Sequence, residues 1–73
     1  MGKSKDIMKI KGTVIKCLPG AKFIVQADEV DVTATCVLSG KLRQNKIMLV
    51  ENDKVEFEIS IYDLTTGRIV WRY

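Results

Sequence analysis

An all-β fold is what this sequence predicts, on three observations. Apolar residues recur at every second position in several short runs, and turn-forming residues separate those runs at the spacing of a small barrel. One stretch of 15 residues, SGKLRQNKIMLVEND, loses that alternation. Together they describe five strands with a short helical insert between the third and fourth, the five-stranded Greek-key barrel called the OB-fold. An SH3-like barrel is the nearest alternative, and the long first strand and the insert disfavour it. The 73 residues are expected to form a single domain, 1–73, with 1–6 a flexible basic N-terminus. A chain this short buries only about 60% of the surface its unfolded form exposes, which leaves one modest core and no room for a large enclosed substrate.

The first strand is IMKIKGTVIKCL. Met8, Ile10, Gly12 and Val14 lie in one phase, Ile15 and Cys17 in the other, so a bend or bulge is expected, with Gly12 the favoured place. Pro19 and Gly20 make a turn. FIVQA then places Phe23, Val25 and Ala27 on one face, and the acidic DEVD is a polar connection. VTATCVL is the third strand, with Val32, Ala34, Cys36 and Leu38 in phase. Ser39 can cap a helical turn running from Lys41 to Asn45. KVEFEISIY is the clearest strand: Val55, Phe57, Ile59 and Ile61 face inward, and Glu56, Glu58 and Ser60 outward. LTTGRIVWRY is expected to turn at Thr66-Gly67 and run out as the fifth strand, with Ile69 and Trp71 closing the core.

Catalysis finds no support in these residues. The chain contains no histidine for proton transfer near neutral pH, and a nucleophilic Ser or Cys would lack a base. No phosphate-cradling loop or dinucleotide fingerprint occurs. Cys17 and Cys36 are too few and too far apart for zinc. A disulfide stays open, but both lie in β-like apolar runs, which favours two reduced, buried thiols. No apolar stretch approaches the roughly 20 residues of a membrane span, and the start lacks a signal-peptide apolar region. The expectation is a cytoplasmic monomer that is not an enzyme and uses no cofactor or metal.

Charge is unevenly spread around a net +3. Residues 1–22 carry six lysines against one acid, Asp6, and residues 39–50 carry Lys41, Arg43 and Lys46 with none. Acids group at Asp28, Glu29 and Asp31, and again at Glu51, Asp53, Glu56 and Glu58. Such segregation orients a molecule toward a polyanion, though ordinary solvated surface explains it equally well. Barrels of this type bind nucleic acid through cations on phosphates and aromatic rings under bases. The candidates are Lys41, Arg43 and Lys46 in the insert, with Tyr62, Arg68, Trp71 and Arg72 near the end. Trp71 shares the phase of Ile69 and is the more natural core residue, as is Phe23. Tyr62 lies opposite the buried set of strand four, so its ring belongs at the surface. Arg68 and Arg72 are expected to be exposed, and Asp63 reads as a turn residue that bonds the backbone ahead of it.

Three segments, GTVIKCLPGAKFIV, SGKLRQNKI and NDKVEFEISIYDLTTGRIVWR, taken in order resemble bacterial-type translation initiation factor one, from Ile10 to Arg72. The resemblance implies an OB-fold that binds the decoding (A) site of the small (30S) ribosomal subunit. The partners it implies are rRNA, a ribosomal protein near that site and the other initiation factors. The implied role is to block premature tRNA binding and support selection of initiator tRNA. Family contacts carried onto matching positions fall on Ser39, Gly40, Lys41, Arg43 and Asn45, and on Tyr62, Asp63, Gly67, Arg68 and Arg72. The chain departs from the family at several places. Val37-Leu38 stands where His-Ile is common before Ser39, Met48 where an arginine is usual, Gln44 at a frequently basic place and Lys46 at a commonly aromatic one. The turn DEVD replaces an Asn-Gly turn and is one residue longer. These changes imply a shifted, weaker set of RNA contacts and the same partner. The rival functions are a general single-stranded RNA chaperone of cold-shock type and a protein-interaction barrel acting through its acidic surface.

Overall fold

A computed structural model describes residues 6–73. The expectation of a flexible tail therefore lies outside the described residues except at Asp6, whose carbonyl accepts a hydrogen bond from the Ile61 N–H at 2.9 Å. Five strands follow: β1 (Ile7–Leu18), β2 (Lys22–Ala27), β3 (Thr33–Leu38), β4 (Lys54–Ser60) and β5 (Asp63–Arg72). One helical turn, α1 (Gly40–Gln44), sits between β3 and β4. The strands close into a barrel in the order β1-β2-β3-β5-β4, with β3 and β5 parallel and the other pairs antiparallel. This is the OB-fold that the alternation and the insert predict.

Alternation decides what the barrel encloses, because successive side chains on a strand point to opposite faces. Val14, Val25, Ala34, Cys36, Val55, Phe57, Ile59 and Ile69 meet inside, and Leu42 of α1 and Leu49 complete the core. Burying a side chain such as Phe57 contributes about 1.5–3 kcal/mol. Among the described residues no polar or charged residue is buried, so the core is held by apolar burial and main-chain pairing.

Closure depends on β1, which changes partners along its length. Ile7–Thr13 pair with β4 and Gly12–Leu18 with β2, so Gly12 and Thr13 are bracketed by both. A Cβ on Gly12 would stand 2.6 Å from the Gln26 carbonyl oxygen and 2.7 Å from Phe57. Glycine is there for close approach, not for a bulge. The bulge lies three residues later: Val14 faces Val25 and Lys16 faces Ile24, which leaves Ile15 extra and exposed. The phase change read in the sequence is present, and its place is corrected.

The end of the chain also differs from expectation. The β4–β5 turn falls at Ile61-Tyr62, not Thr66-Gly67, so Ile61 is exposed where an inward side chain was expected. Gly67 is inside β5, where a Cβ would meet the Glu58 carbonyl oxygen at 2.7 Å and Ile59 at 2.9 Å. Farther along, Phe57 faces Ile69 but Glu56 faces Trp71, so Val70 is an extra residue. That bulge reverses the phase and turns Trp71 outward with 54% of its surface exposed. Ile69 closes the core without it. Both cysteines are free thiols; Cys36 is buried as expected, but Cys17 is exposed near the end of the barrel.

Candidate nucleic-acid interface

The insert is built from its cap. Ser39 is extended (φ −65°, ψ 161°) and its hydroxyl accepts the Leu42 N–H at 3.3 Å, satisfying one of the donors that a helix start leaves unpaired. Leu42 is the one buried residue of α1 and anchors it to the core, which leaves Lys41 and Arg43 in solvent. Both cations lie in the last turn, where they complement the helix dipole. Beyond Asn45, Lys46 adopts a left-handed φ of 56°, and its N–H donates to the Arg43 carbonyl at 3.1 Å. That conformation is costly for a residue with a Cβ. It ends the helix and sends the chain back to the core at Ile47 and Leu49. Gly40 has open space where a Cβ would be, so close packing does not require it.

A main-chain bond from the Ser39 N–H to the Ile69 carbonyl, 2.9 Å, ties the start of α1 to β5. Arg68 therefore sits one residue from the insert, on the outer face between Val37 and Glu58. The guanidinium of Arg68 donates to the Glu58 carboxylate at 2.7 Å, and Arg72 approaches Asp53 at 3.8 Å. Lys41, Arg43 and Lys46 make no ion pair among the described residues. This division was not readable from the sequence, since the partners come from β4 and from the loop before it.

The hairpin tip is a separate cluster. Tyr62 is 79% exposed, and its N–H donates to the Ser60 hydroxyl at 3.0 Å. Asp63 accepts from the Thr65 N–H at 3.0 Å, the Thr65 hydroxyl at 2.6 Å and the Thr66 hydroxyl at 3.0 Å. The Thr65 hydroxyl, then the Thr65 amide, then the Thr66 hydroxyl hold the Asp63 carboxyl below its ordinary value. Asp63 thus has the turn role expected of it, and Gly67 is a packing residue. The tip lies six residues along β5 from Ile69, at most roughly 20 Å of strand. So the structure brings Ser39, Gly40, Lys41, Arg43, Asn45 and Lys46 together with Arg68 and sets Tyr62 and Asp63 apart.

Sequence reasoning named Trp71 as a candidate but favoured the core for it, and passed over Tyr73. Trp71 and Tyr73 are both exposed, and the Lys11 ammonium sits 5.6 Å from the centre of the Tyr73 ring, within cation–π range. No group of three His, Cys, Asp or Glu side chains that could hold a metal occurs among the described residues. Nor is any helix there long and apolar enough to cross a membrane.

No family model matches the sequence. Among solved structures, the chain is similar to the solution structure of translation initiation factor one from the Wolbachia endosymbiont strain TRS of Brugia malayi. The two are 39% identical with a TM-score of 0.75, over 99% of this chain and 84% of that one. It also resembles YjeQ from Thermotoga maritima, with 21% identity and a TM-score of 0.71, over 90% of this chain and 23% of that one. At that identity the second likeness shows the fold alone. The first, at 39% identity over 99% of this chain, shows the family: this chain belongs to the family of translation initiation factor one.

Proposed function

We propose that this initiation factor occupies the A (decoding) site of the small ribosomal subunit, holding rRNA through the α1 insert and the outer face of β5. In this reading it blocks premature tRNA binding by volume and supports the other initiation factors in selecting initiator tRNA. It acts as a cytoplasmic monomer without bond-making chemistry. The observation that carries the reading is the insert. Three cations without acidic partners among the described residues, Lys41, Arg43 and Lys46, are fixed on a capped turn that is itself bonded to β5 beside Arg68. Preorganised cations meet phosphates without first ordering their own backbone.

Binding to purified small subunits across a salt series tests this. With Lys41, Arg43, Lys46, Arg68 and Arg72 neutralising about five phosphates, a fourfold rise in salt weakens binding by about 10²-fold. The double substitution Lys41→Ala/Arg43→Ala lowers affinity at low salt and flattens the salt slope. Salt-insensitive binding, or a slope unchanged by that substitution, overturns the assignment. One observation favours the chaperone reading. Tyr62 is exposed as expected, but Trp71, the more natural core residue by its phase, is exposed too, as is Tyr73, and surface rings stack on unpaired bases. Competition separates the two readings: a chaperone is displaced from subunits by unstructured RNA, and an A-site factor is not.

A further inference from the structure

The front half of β1 has a partner on one side only. It pairs with β4 from Ile7 onward, whereas β2 joins at Gly12. The Asp6 carbonyl accepts from Ile61 at 2.9 Å on the β4 side, and the Lys11 carbonyl accepts from Asp28 at 3.0 Å on the other. In an antiparallel ladder these directions alternate. The N–H and C=O groups of Ile7 and Lys9, and the Lys11 N–H, therefore form an open row with no main-chain partner among the described residues. An open row of this kind is a template for one more strand.

A groove runs beside this edge. Met8 and Ile10, in the inward phase of β1, form one wall, and Val30 and Val32, in the loop after β2, form the other. Val30 is 51% exposed and Met8 39%, although both are apolar. The loop is held in place by Asp28, which accepts from Thr13 at 2.9 Å and from Lys54 at 3.1 Å. The acidic DEVD segment thus supplies a fixed apolar wall, a role that the RNA-binding reading does not use.

Charge narrows the occupant. On the outer face Lys9 and Lys11 stand opposite Glu58 and Glu56 of β4; on the open side no strand faces them, and Glu29 of the loop after β2, which lines the groove with Val30 and Val32, is the one acid there. A second copy of this chain does not complement the edge, because antiparallel pairing about its middle sets Lys9 against Lys9. The preceding segment of this chain brings more lysines, Lys3 and Lys5. Strand β4 shows the pattern that fits: Phe57 and Ile59 face Ile10 and Met8, and Glu56 and Glu58 face Lys11 and Lys9. β1 presents the same side chains to its open side. We propose that the open edge of β1 docks an extended segment of a partner protein, in which apolar residues alternate with acidic ones, as a sixth strand of the barrel.

The probe is a blocked peptide of sequence KVEFEIS, that of Lys54–Ser60, titrated into the full-length ¹⁵N-labelled protein at low salt and followed by NMR. The expected result is saturable shifts and slowed amide exchange at Ile7, Lys9 and Lys11, with shifts at Met8 and Val30. A KVKFKIS peptide binds at least tenfold more weakly. Lys9→Pro removes an edge donor but no β4 bond, so it abolishes binding and keeps the folded spectrum, as edge strands tolerate proline. Val30→Asp, away from any ladder, weakens binding at least severalfold and serves if the proline variant does not fold. Absence of saturable shifts at millimolar peptide overturns the proposal, as do shifts centred on α1 or wild-type binding by both variants. A single-stranded oligonucleotide that perturbs the same edge amides more strongly than the peptide also overturns it, in favour of RNA.

Discussion

Cys17 and Cys36 show how one residue type acquires two chemistries from its place on a barrel. Cys17 is exposed, with its thiol 3.8 Å from the Leu49 carbonyl. Cys36 lies in the core, and burial pushes its thiol up to about 12. A maleimide reagent at neutral pH is expected to label Cys17 in the folded protein and Cys36 only in denaturant, as mass spectrometry of the digested product will show; double labelling of folded protein contradicts this. Asp63 gives a second test. Its pKa lies below the ordinary 3.8 in the folded protein because Thr65 and Thr66 hydrogen bonds favour the carboxylate. The support it lends the turn is therefore complete above that ordinary value and lost as pH falls through the lowered one. The Thr65 amide resonance will titrate with a midpoint below 3.8, and a midpoint at or above it means the turn is not held this way. Asp63 was legible in the sequence because its partners are two and three residues away. The acidic partners of Arg68 and Arg72 are 10 and 19 residues away (68 − 58 and 72 − 53) and become neighbours only in the folded barrel.

At the scale of elements, Ser39 combines a structural role with a position in the proposed interface. Its hydroxyl caps α1, so Ser39→Ala is expected to cost about 1 kcal/mol of stability. Ser39→Asp keeps the cap, since aspartate caps as well as serine, but adds a negative charge beside Lys41 and Arg43. Chemical denaturation should then find the aspartate variant as stable as the parent, while subunit binding falls severalfold. Equal binding by both variants removes Ser39 from the interface. The legibility of each element follows from the same physics. β4 could be read directly, because Val55, Glu56, Phe57, Glu58 and Ile59 alternate without interruption. β5 could not, because Ile69-Val70-Trp71 is apolar throughout, and either phase satisfies such a run until the register with β4 is known. The first strand lies between these cases: its change of phase is visible, but whether Gly12 or Ile15 absorbs it depends on where β2 and β4 converge.

For the whole molecule, closure is concentrated at few places. Gly12 is where β2 and β4 crowd β1, and the atoms nearest an added Cβ include main chain of β2 and the ring of Phe57. Overpacking of a rigid core costs about 1–3 kcal/mol, and a domain of this size has only about 3–5 kcal/mol to lose. Gly12→Ala is therefore expected to lower the melting temperature by about 4–8 °C for each kcal/mol lost. Gly20→Ala, at a turn with nothing within 4 Å of an added Cβ but a φ of 80°, carries only local strain. A Gly12→Ala protein with an unchanged melting temperature would show that the barrel closes more loosely than described. The bulge at Val70 leaves the sole tryptophan of the chain facing water and not the core. Its fluorescence is consequently a poor gauge of whether the protein is folded and a sensitive one of whatever lands on that flank. The chain carries its own optical probe of contact, in place before any label is attached.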